Sequence, residues 1–290
     1  MQLDPLGLKV HSIDVDGHPV AYLDQGEGPP VLLLHGAPLT SLGFVRVVRR
    51  LGRHHRVVAP DLPGFGGTPT WPGFGGRLAD YADFVERFTR AVGIGRHVLF
   101  VNDASGSFGL AAATRTEVAG VVVADTAPLP MTGLAWFVRM FLAYGIGSAP
   151  VRWLSRRFNL IPWMVVTVAP LLARFSTAER RVLLDAFETS AQRERPLDLM
   201  TQMGRDTEFM HATADAVRAH LADTPALLLY GAFDPMRLIG AVRSYRRLLP
   251  RHTVHIVPKE EHFPILASGA AVADAVHTWM ETEVNRREAA

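Results

Sequence analysis

Cysteine is absent from all 290 residues. That excludes disulfide staples, thiolate metal sites and a cysteine nucleophile, so stability must come from the packed core. An excess of charge of one sign is also missing: 30 Lys and Arg stand against 28 Asp and Glu, a formal net charge of +2. So even a balance gives no field of the strength a nucleic-acid-binding surface needs, and nucleic acid is not expected as a partner. No uninterrupted apolar run reaches the roughly 20 residues of a spanning helix. The most apolar stretch, "FNLIPWMVVTVAPLL" (158–172), is broken by Pro162 and Pro170 and reads as a buried or lid segment, not as stable membrane insertion. The first residues, "MQLDPLGLKVHSIDVDG", lack the basic-then-apolar pattern of a secretory signal, so a cytoplasmic location is expected. With 48% hydrophobic and 20% charged residues, what remains is an ordinary globular composition whose expected partner is a small molecule. Oligomeric state leaves no trace in it.

Two short β runs open the chain and meet at Asp16-Gly17, the dipeptide that favours a two-residue hairpin. Short runs apolar throughout then alternate with helical patterns: "PVLLL", "RVVAP", "HVLFV" and "GVVVAD" are separated by "SLGFVRVVRRLG", by a helix with Leu78, Tyr81, Phe84, Phe88 and Val92 on one face, and by "SGSFGLAAATR". Strands without a polar face indicate a parallel sheet covered by helices on both sides. From 129 to 222 the rhythm stops, and helical patterns such as "AERRVLLDAFETSAQ" and "DLMTQMGRDTEFMHATADAVRAHL" take over. It resumes with "PALLLYGAFDP", "LIGAVRSYRRLL", "TVHIVP" and "AAVADAVHTWMETEV". One α/β domain interrupted by a helical insertion is therefore expected, since the insert is too long for an ordinary loop.

Chemistry concentrates at the strand ends. In "HVLFVNDASG" a strand turns sharply into a helix, with small residues after Asp103 that would leave its side chain exposed above the sheet. The helix N-terminus supplies backbone donors and a positive dipole end, which favour an ionised carboxylate. Asp234 follows the strand of "LLLYGAFDP" and His262 follows the last strand in "VHIVPKEEHFP". Nucleophile, acid and histidine thus occur in that chain order, with the acid orienting the imidazole. Each also has a plainer reading. Asp103 and Asp234 are good helix N-caps, and His262 alone would be a surface histidine. Asp125, beyond the preceding strand, competes for the role of acid. Ser107 in "SGSFG" fits a serine-nucleophile pattern but would lie more than one turn into the helix, and Asp61 and His35 read as structural.

These residues, with "HGAP" (35–38) and "DLPGFGGT" (61–68), make the chain resemble the α/β-hydrolase-fold enzymes over almost its whole length. Within them it resembles the branch with an aspartate nucleophile, the epoxide hydrolases and haloalkane dehalogenases. The resemblance implies a mostly parallel sheet with helices on both faces, a core domain of 1–128 and 223–290, and an inserted helical cap of 129–222. It further implies a catalytic Asp103, His262 and Asp234, and an oxyanion hole from the backbone N–H groups of Ala37 and Ala104.

A carboxylate is suited to displacing a leaving group from saturated carbon, giving an ester on Asp103 that water activated by His262 would clear. That points to an epoxide or a carbon–halogen bond. Haloalkane dehalogenases carry a tryptophan after the nucleophile and commonly an asparagine in the oxyanion loop, where this chain has Ala104 and Ala37. Halide would then need a donor from Trp136, Trp153 or Trp163. Epoxide hydrolases use cap tyrosines to protonate the alkoxide, and Tyr144 is the only tyrosine of the insertion, with His211 as a more distant alternative. Tyr144, Trp136 and Trp163 are thus the expected substrate-binding side chains, and an apolar epoxide is preferred over a halide. The acid-free stretch from Thr126 to Ala178, with its five arginines, reads as an apolar lid with a solvated basic face, or as a lid for an anionic substrate or lipid surface. No cofactor is expected, and no metal, since no His/Asp/Glu cluster has ligand spacing. A binding protein that has lost turnover, or a lyase or isomerase using Asp103 and His262, remains the alternative.

Overall fold

A computed structural model describes residues 2–3, 7–160, 163 and 177–285. A nine-stranded sheet runs through it. The strands are β1 (Gln2–Leu3), β2 (Lys9–Val15), β3 (His18–Gln25), β4 (Pro30–Leu34), β5 (Arg56–Pro60), β6 (His97–Asn102), β7 (Val118–Ala124), β8 (Ala226–Gly231) and β9 (His252–Val257). Their spatial order is β1-β2-β3-β5-β4-β6-β7-β8-β9. Pairing is antiparallel from β1 to the β3/β5 pair and parallel from there to β9. Asp16 and Gly17 take φ of 53° and 85° between the paired Val15 and His18. That is the doubly left-handed turn whose twist matches the strands, so the hairpin is formed as its sequence predicts.

The central strands are apolar throughout because both of their faces are covered. In β4, Leu32 and Leu34 join the cluster on one side with Phe84, Phe88 and Phe108, while Val31 and Leu33 join the other with Val47, Val48 and Val276. The first side is covered by α2 (Leu78–Ala91) and α3 (Ser105–Ala113), the second by α1 (Val45–Leu51) and the closing helix, here α12 (Gly269–Trp279). Each fully buried aliphatic side chain contributes about 1.5–3 kcal/mol. Together they fix the strand ends on which the site is built.

Between β7 and β8 every described element is helical: α4 (Ala135–Met140), continued by a π-turn (Phe141–Ile146), α5 (Ala149–Phe158), α6 (Thr177–Asp185), α7 (Ser190–Arg205) and α8 (Thr207–His220). Most of the apolar stretch at 158–172 lies outside the described residues. One long helical pattern, "DLMTQMGRDTEFMHATADAVRAHL", is broken into two. Asp206 leaves helical geometry, and its side chain accepts the Phe209 N–H at 3.1 Å, capping α8. The insertion is continuous with the core, since Phe187, Leu199, Met203, Met210 and Val217 share a buried cluster with α2 and α3. Two short helices, α9 (Pro235–Leu238) and α11 (Pro264–Ala267), and the longer α10 (Ala241–Leu248) complete the chain. No helix among the described residues is long and apolar enough to cross a membrane.

Candidate active site

β6 delivers Asp103 into a left-handed turn, φ 50°, before α3 begins at Ser105. A non-glycine residue there costs about 1–2 kcal/mol, so the surroundings must hold it. They do so through Ser105, whose Oγ donates to Leu34 O at 2.8 Å and accepts the Asn102 N–H at 2.8 Å, and through the Asp103 N–H, which reaches Ala124 O at 3.1 Å. Two glycines make the close approach possible. A Cβ at Gly106 would sit 2.5 Å from Thr126 Cγ2, and one at Gly36 would sit 2.4 Å from Asp103 Oδ2. The carboxylate therefore lies directly against the loop after β4.

Asp103's two oxygens face different partners. Oδ2 accepts the Ala37 N–H at 2.9 Å, and Oδ1 lies 3.4 Å from His262 Nε2. Ala104 is fully buried at the head of α3, and among the described residues its N–H has no hydrogen-bond partner. Ser107 lies inside α3, buried, with its Oγ donating to Ala104 O at 2.8 Å.

His262 follows β9 in a loop that turns at Lys259 (φ 63°) and lies so close to Gly231 that a Cβ there would meet Glu261 O at 2.0 Å. Its Nδ1 is 2.9 Å from Asp234 Oδ1. The same Oδ1 accepts the Met236 N–H at 2.8 Å and caps α9, so Asp234 both caps a helix and holds the histidine. Burial alone would lower the His262 pKa. The hydrogen bonds to Asp103 and Asp234 and the charges of both carboxylates outweigh it, holding the pKa well above its ordinary value.

Asp125 does not contact the imidazole through a hydrogen bond. It follows β7 in a left-handed conformation (φ 51°), fully buried, and its Oδ1 accepts the Gly231 N–H at 3.0 Å. Burial and the neighbouring Asp234 charge push its pKa well above the carboxylate range. The Oδ2 atoms of Asp125 and Asp234 are both buried and lack other partners among the described residues. A single proton shared between the two carboxyl groups would satisfy both. Nothing in the linear sequence marks this pairing, because the residues are 109 positions apart by number and meet only when β7 and β8 pair.

Asp61 and His35 tie the flanking loops. Asp61 accepts the Ser41 N–H at 2.8 Å and the Gly67 N–H at 2.8 Å, while His35 donates from Nδ1 to Gly36 O at 2.9 Å and accepts the Leu62 N–H on Nε2 at 3.0 Å. Burial lowers the His35 pKa, in keeping with a neutral ring that joins two turns.

The insertion's expected substrate contacts sit apart from this cluster. Trp136 lines a cavity of about 500 Å³ with Met131, Arg139, Met203, Met210 and His211. Tyr144 is 63% exposed, with the Arg205 guanidinium 5.6 Å over its ring, and no described hydrogen bond or ring contact joins Tyr144 or Trp136 to Asp103 or His262. Trp163 is 53% exposed, next to residues outside the described set.

A family model described as alpha/beta hydrolase fold matches residues 29–268. The chain is 28% identical over 252 residues to haloalkane dehalogenase 2 of Mycobacterium tuberculosis, covering 84% of this chain and 85% of that protein. Among solved structures it is similar to a loop variant of haloalkane dehalogenase DbeA from Bradyrhizobium elkanii, with a TM-score of 0.80 and 21% identity over 97% of this chain and 99% of that one. It is likewise similar to an epoxide hydrolase of Bacillus megaterium, with a TM-score of 0.79 and 16% identity over 94% and 100% of the two chains. At those identities the two structures share its fold.

Proposed function

The chain belongs to the alpha/beta hydrolase fold family, and from that premise we propose a cofactor-free hydrolase that opens an apolar epoxide by forming an ester on Asp103. The observation that carries this reading is the division of labour between the two oxygens of Asp103. Oδ2 is held by the Ala37 N–H, which leaves Oδ1 as the attacking atom, on the side of His262. Attack on a ring carbon breaks the carbon–oxygen bond, and the alkoxide takes up a proton. The negative charge of Asp103 is thereby lost.

That loss prepares the second step. Without the charge and the hydrogen bond of Asp103, one of the two influences holding a proton on His262 is gone, so its pKa falls and the neutral ring becomes available as a base. It then takes a proton from water attacking the Asp103 carboxyl carbon. Asp234 fixes the tautomer by accepting from Nδ1. Charge develops on Oδ2, opposite the N–H groups of Ala37 and Ala104, and donors so placed are worth about 3–4 kcal/mol each in related chemistry. Collapse releases the diol and restores the carboxylate. Because that water oxygen enters the carboxyl group, turnover in heavy-oxygen water is expected to label the peptide that contains Asp103. Product without label in that peptide would contradict the ester.

Tyr144 is assigned as proton donor to the alkoxide, with Trp136 and Trp163 as apolar contacts; the exposure of Tyr144 means that this assignment requires the insertion to close over substrate. Tyr144→Phe is expected to slow epoxide opening and to spare displacement of a halide, which needs no proton. The second reading, hydrolysis of a carbon–halogen bond, is favoured by the dehalogenase named among its relatives. Against it stand Ala37 and Ala104, whose side chains offer a departing halide no donor. Halide release measured beside diol formation separates the two, and product of either kind excludes a protein that only binds.

A further inference from the structure

At the rim of the sheet opposite the triad, three side chains able to ligate a metal meet from two distant parts of the chain. His55 lies in the turn after α1, one residue before β5 begins. His277 and Glu281 lie four positions apart, where α12 runs into the π-turn Met280–Val284. The triad residues follow the C-terminal ends of β6, β8 and β9, whereas His55 precedes the N-terminal end of β5 in the same parallel array. His55 Nε2 is 2.9 Å from His277 Nδ1, and one ligand atom from each of His55, His277 and Glu281 lies within 4.8 Å of the others. His55 is buried, His277 half-buried and Glu281 exposed.

We propose that His55, His277 and Glu281 bind one divalent transition-metal ion of the zinc type, clamping the C-terminal helix to the turn after α1. Two imidazole nitrogens and one carboxylate oxygen suit zinc, whereas calcium and magnesium prefer oxygen alone. Nitrogens bound to tetrahedral zinc at about 2.0–2.1 Å stand roughly 3.3 Å apart, so the rings need separate by only ~0.4 Å from their present spacing. In the metal-free pair one ring donates its N–H to the other. On binding, that ring shifts its proton to its far nitrogen, so that both facing nitrogens present lone pairs and the metal replaces the shared hydrogen.

The surroundings hold the ligands in place. The His54 ring stacks on His277 with centroids 4.3 Å apart and planes 14° from parallel. Asn285 Nδ2 donates to Glu281 Oε1 at 2.7 Å and orients the carboxylate. Arg50 pairs with Asp274 at 2.6 Å one turn earlier, joining the same two helices. The C-terminal end of a helix also favours a cation through its dipole. Water would complete the coordination. The motif "RHHR" and the pair His277 and Glu281 at i and i+4 were each visible in the sequence, but only the packing of α12 on α1 brings them together.

The test is titration of zinc chloride into the full chain without a histidine tag, followed by calorimetry and thermal unfolding. One zinc per chain and a raised unfolding temperature are expected. His277→Ala and Glu281→Gln should each weaken binding at least about tenfold, and His262→Ala at the triad should leave it unchanged. Glu281 is exposed, so its variant keeps the fold. Absence of one-to-one binding, binding that survives both substitutions, or binding lost with His262→Ala would overturn the proposal.

Discussion

Along the C-terminal rim of the sheet, Asp125 and Asp234 are fully buried and Asp103 and His262 mostly so, and each has a directed partner. Across the insertion, from Leu134 to Trp163, the situation is reversed. Among the described residues, nine large apolar side chains there are at least a third exposed, among them Phe137 at 66% and Trp153 at 63%. The rim groups are held in place by directed hydrogen bonds, the preorganisation that the proposed chemistry requires. The insertion keeps apolar surface in reserve, which suits an element that completes its contacts on a ligand. On the proposed function, chemistry belongs to the buried rim and recognition to the exposed insertion, and substitutions in the two should behave differently.

The largest effect is expected at Asp103. Asp103→Ala should reduce turnover by on the order of 10⁴-fold or more with the fold intact, read by product formation and circular dichroism. Residual activity near wild type would remove the rim from the chemistry. Gly36→Ala comes next. Its new Cβ would have to displace the carboxylate it meets at 2.4 Å, and a misplacement of that kind costs about 10²-fold in rate. An unaffected rate would show that the loop after β4 need not lie so close.

Asp125 sharpens the comparison within the rim itself. Asp125→Ala leaves the buried Oδ2 of Asp234 without a donor and should cost about 1–3 kcal/mol of stability by chemical denaturation. Asp125→Asn retains an uncharged donor and should lose far less, whereas equal losses in the two variants would contradict a neutral Asp125.

The pH dependence follows from His262. Its pKa is higher in the folded protein than in the unfolded chain, so its contribution to stability is fully present below about pH 6.5, the ordinary histidine value, and disappears as pH rises through the folded value. Asp103→Asn removes one of the partners that raise it. The His262 pKa, followed by nuclear magnetic resonance, should fall in that variant, and an unchanged value would disconnect the two steps of the mechanism. The smallest effect belongs to the exposed face: Phe137→Ser should change stability by no more than about 0.5 kcal/mol, against about 3–5 kcal/mol for Phe100→Ala in the core.

What the sequence made legible follows the same division. The Asp103 turn, the Asp16-Gly17 hairpin and the apolar central strands are each specified within about ten residues, the range over which turn chemistry and periodicity act. The positions of Asp234 and His262 were likewise readable, since each lies in the loop that follows a strand. The pairing of Asp125 with Asp234, the break at Asp206 inside one continuous helical pattern, and the meeting of His55 with His277 depend on how distant elements pack. No local pattern reports that. The expected contacts of Trp136, Tyr144 and Trp163 belong to the same class, because a helix face is chosen by its neighbours and not by its own period.

The central claim is that Asp103 becomes covalently attached to carbon and that His262 is needed to release it. The most direct measurement is the intact mass of His262→Ala protein after exposure to a panel of apolar epoxides and haloalkanes. The account predicts a stable adduct with the mass of a whole epoxide, carried on the peptide that contains Asp103. An unmodified protein that nonetheless turned those epoxides over would contradict it.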